Sequence, residues 1–325
     1  MTTRSAPPAF RPTRRVLLAG GAATFLTACT PAARYARRAE ARWPPTGAFV
    51  ESEGLRVHYV QAGPESGPSV ILLHGATGNL RDMTFGLAPR LAALGMHVTA
   101  FDRPGLGYTD RPATGGWRPA TQARILRAAA RRIGVADGAV VLGHSWGAAV
   151  AMAWGLEARA EAKGIICLSG ATMPWGETTG LLDAIAGSGP ATYLKGALAR
   201  SVIGLDGGAS VAARIFAPQS PPPGYIAHVG GPLTLRPDSF AANAEDIDRL
   251  HAALVEQAPR YADLQLPVRI LHGAADTITW PQVHATGMAA VLPHGRAQVL
   301  DGIGHMLHHA APKAVVAAVQ DVLAA

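Results

Sequence analysis

The chain has little cysteine, few aromatic residues and a low density of charge. Its 325 residues include two cysteines, and aromatic residues make up 6% and charged residues 16% of the total, against 49% hydrophobic residues. This composition excludes a disordered or fibrous chain and predicts a globular protein with a sizeable core. Two cysteines allow at most one intrachain disulfide, and none if either cysteine is used otherwise.

Acidic residues are missing from the first 28 positions, which carry four arginines. Residues 29–42 add four more arginines against the single acid Glu40, so these two segments account for the whole net charge of +7. From Trp43 onward the chain is formally neutral. The positive net charge therefore does not indicate a basic globular surface, and we expect no nucleic-acid partner.

A hydrophobic run near the N-terminus resembles an export signal. Arg14 and Arg15 precede the apolar residues 16–28, in the order of the basic and hydrophobic regions of a signal peptide. The run is short for a transmembrane helix, which needs about 20 residues. It ends in Leu26-Thr27-Ala28-Cys29, which resembles the bacterial lipobox. The sequence thus predicts a signal peptide over 1–28 and a lipid on Cys29, with an unlipidated cleaved signal and an uncleaved anchor as alternatives.

This signal predicts export and attachment to a membrane on the periplasmic side. The arginine pair resembles twin-arginine signals, and the general secretory route is the alternative. Residues 29–47 are interpreted as a linker, lying near lipid headgroups or in solvent. With Cys29 bearing lipid, no intrachain disulfide remains, and Cys167 is expected to be a small buried hydrophobe.

After Pro44-Pro45 the chain alternates between apolar strands and helical patterns. Continuous apolar runs, typical of parallel strands buried on both faces, occur at 70–73, 98–101, 139–142, 165–168 and 268–271. Helical patterns at 87–94 and 121–133 separate some of them. The alternation predicts an α/β fold with a mostly parallel, doubly wound sheet.

The alternation stops between residues 173 and 261, in a segment that is too long for a loop and carries amphipathic helical patterns. The sequence predicts that this segment is a helical cap, inserted between core segments 48–172 and 262–325. Apolar cap residues are candidate walls of a substrate pocket, with core packing as the alternative: Met173, Trp175, Phe216, Tyr225 and Phe240.

A pentapeptide between a buried strand and a small-residue helix carries the leading functional signal. Gly143-His144-Ser145-Trp146-Gly147 fits the nucleophile elbow, in which a strained turn raises a serine hydroxyl above the sheet. Ser145 is therefore the candidate nucleophile. Attack on an ester would create an oxyanion, and the backbone N–H groups of Trp146 and Ala76 are the predicted donors for it. His74, beside Ala76, is interpreted as a structural residue.

A serine nucleophile needs a base, and the base needs an orienting acid. Asp276 follows the strand 268–271, and His305 follows a strand predicted over 297–300. Both then lie at the edge of the sheet where α/β sites are built. Several neighbours are weaker candidates, because they precede a strand, cap a loop or begin a helix predicted over 307–323: Asp263, Asp301, His308 and His309.

Taken in order, these motifs resemble the α/β-hydrolase superfamily from about residue 48 to the C-terminus, in the branch of capped esterases, proline iminopeptidases, carbon–carbon bond hydrolases and cofactor-free haloperoxidases. The resemblance implies a Ser–His–Asp triad working through an acyl-enzyme, with no organic cofactor and no metal. Epoxide hydrolases and haloalkane dehalogenases of this superfamily carry an aspartate at the elbow, and Ser145 argues against both chemistries.

The expected function is therefore hydrolysis of a small, apolar acyl ester by a membrane-anchored serine hydrolase, with amide or carbon–carbon cleavage as variants. A non-catalytic receptor or scaffold on the same fold is one alternative. A haloperoxidase or perhydrolase activity at the same site is another. Retention of all three triad residues favours an enzyme, and the sequence leaves the oligomeric state open.

Overall fold

The computed structural model describes residues 30–135, 137–176 and 186–325. The signal-like segment and Cys29 lie outside these described residues. Within the described ranges, no helix combines the length and apolar character needed to cross a membrane.

Eight strands of the described chain form one sheet. They are β1 Ala48–Ser52, β2 Leu55–Ala62, β3 Ser69–Leu73, β4 His97–Phe101, β5 Ala139–His144, β6 Ala162–Leu168, β7 Val268–Gly273 and β8 Gly295–Leu300. Their order in the sheet is β1-β2-β4-β3-β5-β6-β7-β8. The strand β2 pairs antiparallel with β1 and β4, and all other neighbours are parallel. The predicted mostly parallel α/β sheet is confirmed.

Helices cover both faces of this sheet. They are α1 Pro31–Arg42, α2 Leu80–Phe85, α3 Leu87–Ala93, α4 Pro119–Arg132, α5 Trp146–Glu157, α6 Pro190–Ile203, α7 Gly208–Phe216, α8 Tyr225–Val229, α9 Pro237–Gln257, α10 Met288–Val291, α11 Leu307–Ala310 and α12 Pro312–Ala324. Short 3₁₀ turns span Arg159–Glu161, Gly231–Leu235 and Ala258–Asp263, and a π-helical turn spans Gln282–Gly287. The single helix predicted over 307–323 is divided into α11 and α12 because Pro312 starts a new helix.

Alternating side chains of the central strands enter two separate cores. Ile71 and Leu73 of β3 pack on one face with residues of α4 and α5, whereas Val70 and Leu72 pack on the other with residues of α3 and α12. Burial on both faces explains the unbroken apolar runs. Cys167 in β6 is fully buried, as expected.

The region expected to be a cap carries α6 to α9 and two of the 3₁₀ turns, between β6 and β7. Its aromatic residues pack largely within the protein. Phe216 and Tyr225 form a small core with Val229 and Met306, and Phe240 is also buried. Met173 and Trp175 are partly buried against the main core.

The segment interpreted as a linker instead contains the helix α1, which is docked on the inserted region. Its apolar residues Tyr35, Ala39 and Trp43 recur every fourth position and pack with Leu233 and Leu205. The indole Nε1–H of Trp43 donates to the Ala227 carbonyl at 2.8 Å. The numerous arginines obscure this narrow apolar stripe, which explains why composition alone indicates a linker.

The docking of α1 is testable with two substitutions on the same helix. Ala39 is fully buried and Ala41 is exposed. We expect Ala39→Glu to detach α1, because a buried unpaired carboxylate costs about 2 kcal/mol or more. Hydrogen exchange should then rise across α1, while Ala41→Glu leaves it unchanged. Equal protection in both variants would contradict the docked helix.

Candidate active site

Ser145 occupies the sharp turn between β5 and α5. Its φ of +53° and ψ of −121° lie in a region that side-chain-bearing residues rarely adopt, and it is 5% exposed. The surrounding backbone holds this conformation: the Ser145 N–H donates to the Leu168 carbonyl at 2.9 Å, and the Ser145 carbonyl accepts from the Ala171 N–H at 3.2 Å. The next strand, β6, thus fixes the turn.

Glycine is required on both sides of this serine. A Cβ at Gly147 would lie 2.5 Å from the carbonyl oxygens of Leu73 and His74. A Cβ at Gly143 would collide with the Gly147 carbonyl. The elbow therefore packs directly on the carboxyl end of β3, with no room for a side chain.

Asp276 and His305 come together from two different loops. Asp276 follows β7, His305 follows β8, and the imidazole Nδ1–H of His305 donates to Asp276 Oδ2 at 2.8 Å. The other oxygen of Asp276 accepts backbone N–H groups from Ile278 at 2.8 Å and Thr279 at 3.1 Å. These bonds fix the carboxylate, which in turn sets the orientation of the imidazole ring.

The electrostatics keep this acid ionised. Burial alone would raise the pKa of the Asp276 carboxyl, but the charge of His305 and hydrogen bonds from His272 and His305 outweigh it and hold the pKa well below its usual range. An ionised Asp276 keeps the proton of His305 on Nδ1. The Nε2 atom is then the basic nitrogen of this ring.

His144 connects the elbow to the His305 loop. Its Nε2–H donates to the His305 backbone carbonyl at 3.1 Å, and the two rings lie 4.9 Å apart. Burial, followed by the charges of His308 and His305, holds the pKa of His144 well below its usual range. This neutral histidine positions the loop. The sequence offered no signal for that role, because His144 occupies a variable position of the pentapeptide.

The loop after β3 lies beside the serine. A Cβ at Gly75 would lie 3.0 Å from the Ser145 Cβ. Within the described ranges, neither the Ala76 nor the Trp146 backbone N–H donates to a protein acceptor. Trp146 begins α5, where first-turn N–H groups have no partner in their own helix. Both predicted donors thus have no acceptor among the described residues.

A residue of the insertion holds this loop and was missed from sequence. The Thr77 N–H donates to Asn243 Oδ1 at 2.6 Å, and the Thr234 hydroxyl donates to the Thr77 carbonyl at 2.8 Å. Asn243 is fully buried, and its Nδ2 has no partner among the described residues. Leaving a buried donor unsatisfied costs about 1–3 kcal/mol. Its position in the middle of α9 gave no indication of this contact.

His74 has a structural position, in agreement with its sequence interpretation. Its Nδ1–H donates to the Gly75 carbonyl at 2.8 Å, and its Nε2 accepts the Arg103 N–H at 3.0 Å. Burial, with help from the charge of Arg103, lowers the pKa of His74 to about 4. The ring is neutral and braces the loop. The buried Arg103 guanidinium also binds the Gly75 carbonyl at 3.1 Å and pairs with Asp246 at 3.0 Å.

The weaker sequence candidates lie elsewhere. Asp263 and Asp301 are exposed. His308 and His309 each contact Asp82, at 3.1 Å and 2.8 Å. The three groups lie close enough to hold a metal ion. Because the Tyr225 hydroxyl also donates to Asp82, at 2.9 Å, we interpret them as a buried hydrogen-bonded network.

Comparison with known proteins identifies the family. Residues 70–319 match the model of the alpha/beta hydrolase family, and the chain belongs to this family. It is 37% identical over 112 residues to epoxide hydrolase A of Mycobacterium tuberculosis, a match that covers 33% of either chain. The chain thus spans about a third of the length of such curated relatives.

Solved structures share the fold over most of their length. An esterase from Exiguobacterium antarcticum superimposes with a TM-score of 0.69 at 20% identity, over 86% of this chain and 100% of that one. A membrane phospholipase A described as a bacterial virulence factor gives a TM-score of 0.62 at 20% identity, over 95% of this chain and 96% of that one.

The Asp82 network predicts a pH-dependent stability difference. Burial would raise the pKa of Asp82, but the charge of His308 and hydrogen bonds from both histidines hold it well below its usual range. A depressed carboxyl pKa stabilises the fold above the unfolded value near 4, and this contribution disappears as the pH falls towards the folded value. We expect Asp82→Asn to lose about 2 kcal/mol or more at pH 7.

Urea unfolding at pH 7 and at successively lower pH measures this difference. The gap between the wild type and Asp82→Asn should narrow once the pH drops below about 4. Asp301→Asn, at an exposed position, is the control and should match the wild type throughout. A gap that is constant with pH would show that Asp82 does not act through its charge.

Proposed function

We propose that this protein is a serine hydrolase that cleaves a carboxylic ester through Ser145, His305 and Asp276. The observation that carries the proposal is the buried 2.8 Å bond between Asp276 and His305, on a loop that His144 ties to the strained serine turn. A charged acid, an oriented imidazole and a serine on a rigid turn are the three groups that nucleophilic catalysis of this type uses.

The residues have distinct roles in this mechanism. His305 Nε2 takes the proton from Ser145 Oγ as that oxygen attacks the ester carbonyl carbon, and the resulting oxyanion accepts hydrogen bonds from the Ala76 and Trp146 N–H groups. His305 then returns the proton to the departing alcohol, which leaves an acyl-serine. Water, deprotonated by the same imidazole, hydrolyses the acyl-serine and releases the acid. Asp276 stays ionised throughout and stabilises the imidazolium.

The nucleophile distinguishes this proposal from the activities named for several relatives. Epoxide hydrolase A is a sequence relative, and Ser145 stands where epoxide hydrolases of this superfamily carry an aspartate. An ester is the proposed substrate class because one fold neighbour is described as an esterase and another as a phospholipase. A third is described as a meta-cleavage product hydrolase, so carbon–carbon cleavage stays a variant of the proposal, as does amide cleavage. The unused N–H groups of Ala76 and Trp146 argue for an enzyme over a scaffold.

We also propose that the protein is exported and held on the periplasmic side of a membrane by a lipid on Cys29. The lipobox-like sequence supports this location. The first described helix begins at Pro31, two residues after Cys29, so the folded part would start next to the lipid.

Substitution of the nucleophile tests the proposal. Ser145→Ala should abolish labelling by a fluorophosphonate probe and reduce hydrolysis of short p-nitrophenyl esters by about 10⁴-fold or more, because the hydroxyl that forms the acyl-enzyme is lost. Thermal unfolding should remain close to the wild type, since only one oxygen is removed.

Ser169 is the matched control for this substitution. It is also buried and has a positive φ of +43°, and its hydroxyl lacks a hydrogen-bond partner among the described residues. Ser169→Ala should keep both labelling and turnover. Undiminished labelling of Ser145→Ala would refute the assignment of the nucleophile, and no turnover across ester chain lengths by the wild type would favour the scaffold.

Asn243 is expected to affect kcat rather than KM. We predict that Asn243→Ala lowers kcat by roughly 10- to 100-fold. The variant loses two things: the hydrogen bond that positions Thr77, the residue after Ala76, and the Nδ2 donor that has no partner among the described residues. Ser239→Ala, one turn earlier on α9, is the control and should retain kcat.

Asn243→Asp separates the two contributions of this residue. The aspartate keeps an acceptor for the Thr77 N–H but removes the donor and places a negative charge against the loop that carries Ala76. Its kcat should fall at least as far as that of Asn243→Ala. A wild-type kcat in both variants would show that Asn243 has no part in the reaction.

A further inference from the structure

One helix of the insertion presents an apolar row to solvent. In α6, Leu194 is 74% exposed, Leu198 is 65% exposed and Val202 is 77% exposed. Their spacing of four residues puts them on one face of the helix. Single exposed hydrophobic residues are ordinary, but a continuous row of large ones indicates a contact surface.

The inward face of α6 shows that this exposure follows from how the helix packs. Thr192 and Gly196 are buried, and a Cβ at Gly196 would lie 2.8 Å from the Phe240 ring on α9. The close contact fixes the rotation of α6, so the leucine and valine row must face away from the protein. This is the reverse of the usual surface helix, whose apolar face points inward.

The charged residues of α6 are basic, and two acids near its junction with α1 pair with arginines: Asp206 with Arg42, and Glu40 with Arg236. The helix α6 contains Lys195 and Arg200 and no acidic residue. At its C-terminal end it adjoins α1, where the Tyr35 hydroxyl donates to the Gly204 carbonyl at 3.2 Å. The helix α1 adds three exposed arginines that form no ion pair within the described ranges: Arg34, Arg37 and Arg38.

The position of Cys29 relative to the start of α1 indicates what covers this surface. Because α1 starts two residues after Cys29, a lipid on that cysteine would bring a bilayer next to the arginines of α1 and the end of α6. Anionic headgroups attract each nearby basic residue by roughly 1 kcal/mol. The apolar row of α6 suits the boundary between headgroups and acyl chains, as in interfacial helices.

We propose that the α6 row and the α1 arginines form a docking surface for an anionic phospholipid bilayer. Its placement rests on the proposed lipid at Cys29, but the surface would bind membranes without it. Since α6 packs on α9, the helix that carries Asn243, docking would hold the insertion and the candidate active site at the membrane surface.

Vesicle binding by the unlipidated chain from Thr30 onward, which contains every helix and strand described above, tests this surface. We expect co-sedimentation with phosphatidylcholine vesicles that contain phosphatidylglycerol and much weaker binding to phosphatidylcholine alone. Changing Leu194, Leu198 and Val202 to serine, or Arg34, Arg37 and Arg38 to glutamine, should each weaken binding about tenfold or more.

The matched control changes three exposed apolar residues outside this surface to serine: Leu94, Val255 and Val291. This variant should bind vesicles as the wild type does. All variants should hydrolyse a soluble short-chain ester at the wild-type rate, because no substituted residue belongs to the catalytic site.

Two results would overturn the proposal. One is vesicle binding that is equally strong with and without phosphatidylglycerol and that neither set of substitutions weakens. The other is a dimer in sedimentation analysis that the α6 substitutions dissociate, because a second copy of the chain would then cover the row. An absence of ester hydrolysis with vesicle binding intact would contradict only the proposed enzymatic function.

Discussion

The rest of the candidate site depends on the close packing of the elbow against the carboxyl end of β3. Gly147 lies beneath the carbonyl groups of Leu73 and His74, and Gly75 lies against Ser145. Any side chain at these glycines would separate the serine from the loop that carries Ala76. The contact therefore holds the Ser145 hydroxyl close to the two proposed backbone donors. In the proposed mechanism, preorganisation of this kind avoids the cost of orienting dipoles during the reaction.

Buried charge extends this constraint to the insertion. The fully buried Arg103 pairs with Asp246 of α9, binds the Gly75 carbonyl and stacks 4.2 Å from the Trp146 ring. The Trp146 indole Nε1–H in turn donates to the Asp246 carbonyl at 3.0 Å. Removing one partner of a buried ion pair costs about 3–5 kcal/mol, since the other charge is left uncompensated. The insertion is thus joined to Trp146 directly and, through Arg103, to Gly75 beside Ala76, although it is remote from these residues in sequence.

How much of this could be predicted from sequence depends on the range of the interaction. The five apolar runs predicted strands correctly because burial on both faces leaves an unbroken apolar pattern. The strand β1 was not predicted because Ala48–Ser52 is a largely exposed edge strand. Asp276 and His305 could be paired because carboxyl ends of parallel strands share one edge of the sheet. The roles of Asn243 and His144 depend on contacts between distant segments, which no local pattern encodes. The apolar stripe of α1 is a local pattern, but it does not show where the helix docks.

These distant contacts form one continuous path from the helix α1 to the loop that carries Ala76. Tyr35 of α1 binds the end of α6, Gly196 of α6 packs on Phe240 of α9, and Asn243 of α9 holds Thr77. The first two steps join helices and the last joins a helix to the loop, and each is a buried or partly buried contact. The glycine at 196 is central to this path, because a larger residue would move α6 away from α9. The proposed nucleophile Ser145 and the exposed surface of α6 are therefore linked by a chain of direct contacts through α9.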